Sequence, residues 1–427
     1  MLGTEISGTG IAVWIYLRTG NVAWLGALMA IATVPVLFTM PFVRIVDRLP
    51  RRSVMIWSDT LAASGTAFAV VLALLGRLEV WHLAVAALVG GIGNAFQQPA
   101  FQAAVPSLVT PAALPRANGL NQLGPAAGVV IGPLIGAPLV AWWGIGAVLA
   151  VDVASFSFAI GTALAVRFGE RAAPASDDDG SWAAALGWLR GDGRPFITLL
   201  AMMALVNFAF AVFNVSMFAL AVQVAGAARS GVVVAVAGGA MLAGSLLVGA
   251  RGLPARRMRV FSAALAASSV GIVIASLRPS MWWLGAGIVV ALTAAPAVNA
   301  AMATLFHERV PDHLRGRVFG VRYAVGRSLS PIGSLVAGFA VAGLAEPAMA
   351  GDGWVANVFG TAIGTGAERG AALILMLAGV ACGLIGIWTR VSWINGALDG
   401  PTPGSLDGGA VEGLPADRAT PAVDGVI

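Results

Sequence analysis

Two carboxylic acids in this chain stand inside apolar runs, where an acid is useful only if it does chemistry or is well partnered. Glu5 precedes Arg18 by 13 residues, which is roughly 20 Å along a helix at ~1.5 Å per residue. Asp152 lies in a second apolar run, with Ser155 and Ser157 close behind it. The chemistry open to a carboxyl at that depth is uptake and release of a proton as its surroundings dry and wet. Two readings stand for each. Glu5 either carries a proton or pairs with a neighbour near a shortened chain start; Asp152 is either a second proton carrier or a hydrogen-bonded structural acid. Asp59, seven residues after Arg52 and on the same helical face, reads as a structural partner that neutralises an arginine.

Other polar groups in apolar surroundings are amides: Asn94, Gln97, Gln98, Asn207, Asn214 and Asn299. Such amides either line a cavity and touch a solute or stitch neighbouring helices together, at about 0.6–2 kcal/mol each. Arg327 could balance an acid or hold an anionic solute, and could equally snorkel to an interface. Three histidines (His82, His307 and His313) are too scattered for a metal site, and the lone Cys382 gives no disulfide or zinc spacing. No metal or cofactor is expected. The chain contains no lysine, so a phosphate-binding loop ending in Gly-Lys is excluded. A membrane-embedded enzyme would need nucleophile, histidine and acid together at one interface, and only His307 beside Glu308 approaches that.

The elements that would position these groups follow from composition. The chain of 427 residues is 58% hydrophobic and 11% charged, with a mean hydropathy of +0.87. Its apolar runs approach the roughly 20 residues that cross a hydrocarbon core of about 30 Å, and they lack the alternation of barrel strands. Helices are expected over 1–17, 22–42, 54–75, 81–103, 120–142, 145–166, 196–222, 232–250, 260–277, 281–305, 318–344 and 371–388. The first span has no lead-in, so a truncated or mis-assigned start is expected. Arginines crowd one set of alternating connections, from Arg44, Arg48, Arg51 and Arg52 through to Arg315, Arg317 and Arg322. The positive-inside rule makes that set cytoplasmic, with both termini inside a bacterial inner membrane.

The sequence also repeats. Leu49-Pro50-Arg51-Arg52 recurs as Leu253-Pro254-Ala255-Arg256-Arg257, and Pro111-Ala112-Ala113-Leu114 is echoed by Pro311-Asp312-His313-Leu314. Two parallel halves related about the membrane normal suit alternating access. The domains expected are an N-terminal bundle over 1–168 and a cytoplasmic connector over 169–194, carrying a short surface helix. A C-terminal bundle over 195–392 and a disordered tail over 393–427 complete them. Glycines four apart in the fifth span, Gly128, Gly132 and Gly136, lie on one face and admit a close backbone, while Pro133 bends the helix.

The loop Asp47-Arg48-Leu49-Pro50-Arg51-Arg52 resembles the cytoplasmic signature of the major facilitator superfamily. The resemblance implies that Asp47, Arg48, Arg51 and Arg52 latch an inner gate; anchoring to anionic lipid is the other reading. Gly119, Gly128, Gly132, Pro133 and Gly136 resemble that superfamily's antiporter signature, which implies a helix packed between the two halves. Phe96-Gln97-Gln98-Pro99-Ala100 and Arg315-Gly316-Arg317-Val318-Phe319-Gly320 are similar to the drug:proton antiporter branch that includes macrolide-efflux and enterobactin-exporter proteins. The fold implied is all-α and integral to the membrane, twelve helices in two pseudo-symmetric six-helix bundles. The function implied is proton-coupled efflux of a drug-like or natural-product compound. A dedicated exporter of a siderophore or nonribosomal peptide, and a transport-inactive homologue, are the alternatives. The partners expected are a small-molecule substrate, protons and membrane lipid, without nucleic acid, for a monomeric chain.

Overall fold

The computed structural model describes residues 2–37, 49–108, 110, 114–166, 182–350, 353–392 and 398–399. Asp47 and Arg48 of the expected gate lie outside the described residues, as do the acidic part of the connector and most of the tail. The regular elements among the described residues are all helical. Helices α1 (Leu2–Thr19), α2 (Val22–Leu37), α3 (Arg51–Leu74) and α4 (Val80–Leu108) are followed by the long α5 (Leu114–Ala165). After α6 (Trp182–Arg190) come α7 (Arg194–Ala225), α8 (Ala227–Arg251), α9 (Arg257–Leu277) and α10 (Met281–Arg309). The last are α11 (Arg315–Ser328), α12 (Ser330–Ala340), α13 (Glu346–Ala350), α14 (Trp354–Ile363) and α15 (Gly370–Val391). Among the described residues, nine stretches are long and apolar enough to cross a membrane. Without water in the bilayer core, a helix meets its own backbone's hydrogen-bonding needs.

Two of the turns between spans are made by a single glycine, Gly144 within α5 and Gly226 between α7 and α8. The fifth and sixth spans form one run, α5, broken only at Gly144, where φ is 76°. That left-handed conformation strains any residue with a Cβ, so a glycine alone reverses the chain. The two legs of α5 then flank α1: a Cβ added to Gly10 would lie 2.6 Å from Val148 and 3.2 Å from the Gly136 carbonyl. The eleventh span was expected as one helix but is broken in the structure. It stops at Ser328, restarts at Ser330 and carries a π-helical segment at Val341–Ala345. Pro331 is the physical reason, since it has no N–H to continue the ladder.

Helices α1–α5 pack largely on one another, and so do α7–α15. Among the described residues, two main seams join the halves: α2 against α12, and the first leg of α5 against α8. These pairs are exchanged by the sequence repeat, so one seam is a copy of the other. Both depend on glycine. Cβ atoms added to Gly26 and Gly231 would lie 2.3 Å from the Ser334 carbonyl and 2.1 Å from the Pro133 carbonyl. Among the described residues, the glycine-permitted approaches between halves all lie on the arginine-poor side or near mid-depth, at Gly26, Gly231, Gly238 and Gly338. Tyr16 and Gln223 add a hydrogen bond between the halves at that same side, with Gln223 Nε2 donating to the Tyr16 hydroxyl at 2.8 Å.

Part of the tail expected to be disordered is docked. Asp399 accepts hydrogen bonds from the N–H groups of Met258 (2.8 Å) and Arg259 (3.3 Å), capping α9. Leu398 is buried, and its carbonyl accepts from Arg309 at 2.9 Å. The unfilled N–H groups at a helix start are the physical reason a carboxylate settles there. The connector helix α6 lies against the second half, with Ala185 and Leu189 buried and Trp188 packed on Phe196 at 5.4 Å.

Candidate functional site

A cavity of about 650 Å³ occupies the first half and reaches across to α7 and α8. Its wall is built by helix faces that the sequence leaves polar. On α1, Glu5 faces the cavity, held there by the first leg of α5: a Cβ on Gly132 would sit 2.5 Å from Glu5 Cβ, and one on Gly128 would sit 3.0 Å from Glu5 Cγ. Gly128 and Gly132 therefore seat α1 and its acid. The close approach to the other half is made by glycines of α8, Gly231 and Gly238, against Pro133 and Val129 of α5. The helix thus lies between the two halves as the resemblance implies, with its own glycines turned to α1 and the glycines of the seam supplied by α8. The spacing showed that one face of α5 is bare but not which neighbour fills it. Of Gly119 only the helical backbone is described.

Asp152, on the second leg of α5, lines the same cavity and is 5% exposed. Its Oδ2 accepts a hydrogen bond from Thr66 on α3 at 3.1 Å, and its Oδ1 has no partner. Ser7 lies on the wall beside it, its hydroxyl given to the Thr4 carbonyl at 3.1 Å. Asn94, Gln97 and Gln98 of α4 and Asn214 of α7 complete the polar lining. The Asn214 amide donates to the Phe210 carbonyl at 2.8 Å, which turns its oxygen away from the helix backbone.

Asp59 corrects the sequence reading. It was expected to neutralise an arginine, yet it lines this cavity, is 7% exposed and pairs with no arginine among the described residues. Arg52, its expected partner, instead gives its guanidinium to the carbonyls of Ala163 and Leu164. Those carbonyls end α5 and have no helical donors of their own, so they compete well for a cation. Arg51 stands one residue earlier at the start of α3 and is half-buried. The signal for Asp59 was present: Ser58, Asp59, Ala62 and Thr66 recur at helical spacing and all line the cavity.

A second, smaller cavity of about 130 Å³ lies in the other half. Asn207 and Asn299 are there, among Met203, Phe210, Phe213, Met241 and Met302. Among the described residues, no charged side chain lines it. Arg327 borders neither cavity; it is exposed, with its guanidinium over the Tyr323 ring at 5.5 Å. Its position just before the break at Leu329 turns it outward, so the structure does not bring it to the amides it was grouped with.

Two helical halves around an acid-lined cavity have a counterpart among known families. Residues 2–335 match the model of one of them. The chain belongs to the Major Facilitator Superfamily. Macrolide efflux protein A of Enterococcus faecalis is 24% identical over 298 residues, covering 68% of this chain and 92% of that protein. Macrolide efflux protein A of Streptococcus pyogenes is 24% identical over 338 residues, covering 76% and 83%. Among solved structures, a bacterial homologue of the human lysosomal transporter Spinster, inward-facing and unoccupied, aligns with a TM-score of 0.67 at 16% identity, covering 94% of this chain and 97% of that one. The nucleoside transporter NupG aligns with a TM-score of 0.62 at 13% identity, covering 92% and 99%. At such identities the structural likeness shows the fold. This Major Facilitator Superfamily member is a multi-pass membrane transporter rather than an enzyme.

Proposed function

We propose that the chain exports a drug-like or natural-product compound by alternating access, in exchange for protons. The observation that carries this reading is Glu5 and Asp152 on the wall of one cavity, in a molecule whose halves are pinched together at the arginine-poor end. The arginine-rich end is cytoplasmic by the charge rule, so the cavity faces the cell interior in this state. Glu5 sits against glycines on a helix that also forms a seam between halves. Rocking of the halves at that seam changes the packing around this carboxyl, and with it the ease of holding a proton. Asp152, tied to Thr66, supplies a second site nearer the arginine-poor side.

The likeness to macrolide efflux proteins supports an exported compound that is large and amphipathic, and the mostly apolar walls with a few polar groups suit one. The test is transport in proteoliposomes of bacterial lipid with an imposed pH gradient, comparing wild type with Glu5→Gln and Asp152→Asn. Glu5→Gln should abolish gradient-driven accumulation while leaving downhill exchange of the compound. Asp152→Asn should lower the driven rate about tenfold, the size of a lost charge-assisted hydrogen bond of about 1.5 kcal/mol. Undiminished gradient-driven uptake by both variants would remove the coupling assignment.

A further inference from the structure

We propose that the small cavity inside the second half is a binding site of its own, and that its ligand is a small uncharged phenol. The inference goes beyond the transport reading, because this cavity and the acid-lined one share no lining residue.

The walls come from one bundle alone, with α7, α8, α9, α10 and α15 all contributing. Burial gives the pocket its depth. Val206 and Asn207 on α7 and Ala295 on α10 are half-buried, and Asn299 is exposed. Phe261 and Leu265 on α9 and Cys382 on α15 are buried. The pocket therefore deepens from a rim on α7 and α10 toward α9 and α15. Its volume of about 130 Å³ is close to the ~150 Å³ of an engineered apolar cavity that takes up benzene. Pockets for drug-sized molecules run to roughly 300–1,000 Å³. A single ring fits.

The lining narrows the class of that ring. Among the described residues, no charged side chain faces the pocket, so an ion would lose its hydration there with nothing in return. Met203, Met241 and Met302 all line it, and thioether sulfur packs favourably against the edge of an aromatic ring. Two of the polar groups are already committed. Ser268 Oγ donates to the Ala291 carbonyl at 2.8 Å, and Asn207 Nδ2 donates to the Met203 carbonyl at 2.8 Å. The second bond fixes the amide's orientation and leaves Asn207 Oδ1 as an acceptor without a donor among the described residues. An aromatic ring bearing one hydroxyl supplies that donor and fills the remaining space with carbon.

The experiment is fluorine NMR of binding to the purified full chain in detergent, with no gradient. The probes are para-fluorophenol, para-fluoroanisole and para-fluorobenzoate. The phenol should bind saturably, one per chain, and about fivefold more tightly than the anisole, which has no O–H to give. The benzoate should show no saturable binding. Asn207→Leu should bring the phenol down to the affinity of the anisole and leave the anisole within twofold. Ala295→Phe, which fills the pocket, should abolish binding of both. In the wild type itself, the methyl signals of Met203, Met241 and Met302 should shift on adding the phenol, while those of Met29 and Met217 in the larger cavity stay in place. Absence of saturable binding, equal affinity for phenol and anisole, or shifts at Met29 and Met217 instead overturns the proposal. So does a phenol preference that survives Asn207→Leu. Gradient-driven transport, which tests the coupling reading, is a separate measurement, so either reading can fail without the other.

Discussion

The two halves share a helix plan and differ in what they do with their interiors. In the first half, the space between helices is large, about 650 Å³, and faced by three acids and several amides. In the second it is about 130 Å³ and faced by methionines, phenylalanines and two asparagines. The seams that join them are copies, α2 against α12 and α5 against α8, so the difference does not come from the helix arrangement. It comes from which faces carry polar residues: Asp59 and Thr66 repeat along α3, while the equivalent helix α9 presents Phe261, Leu265, Ser268 and Ile272. A repeated scaffold can thus line its two halves differently, one with charge and the other with apolar bulk.

That contrast can be broken or sharpened by substitution. The largest effect is expected in the apolar half. Phe213 is fully buried and stacks on Phe210 at 5.6 Å, so Phe213→Ala should destabilise the protein by about 3–5 kcal/mol. Asn94→Ala, on an open wall of the polar cavity, should cost less than about 0.5 kcal/mol. Thermal unfolding in detergent compares the two, and similar losses would show that the halves do not differ in this way.

Next in size is the seating of the acid-bearing helix. Gly132→Val puts a branched side chain where Glu5 Cβ already stands, 2.5 Å from the new Cβ, and should cost about 1–3 kcal/mol together with gradient-driven transport. Gly239→Val in the second half meets nothing within 4 Å and should be close to neutral in both assays.

The smallest effect concerns the tail, which only the second half uses. Asp399→Ala removes the cap on α9 and should cost about 1 kcal/mol. Hydrogen exchange should quicken at the Met258 and Arg259 amides and stay unchanged at the start of α3, which has no side-chain cap to lose.

Much of this was legible beforehand. Apolar runs of the right length foretold the helices, since a bilayer leaves a backbone few other choices. Glu5, Asp152, Asn94, Gln97, Gln98 and Asn214 were singled out as polar groups in apolar runs, and the structure places all six on one cavity. What failed to show was direction and choice of partner. Asp59 and Arg52 share a helical face, which suggested an ion pair, but the open carbonyls of α5 took the arginine. Arg327 stands in an expected span, which suggested a cavity position, but the span breaks at Leu329 ahead of Pro331 and the guanidinium lies over Tyr323.

The sequence by itself determined which segments are helical, where arginines accumulate and that the chain is doubled, because those follow from local composition and spacing. Only tertiary structure decided which helix fills the bare face of α5, which carbonyls hold Arg52, and which half keeps an open polar chamber. Each of those is settled by competition among groups far apart in the chain for the same donor, acceptor or volume.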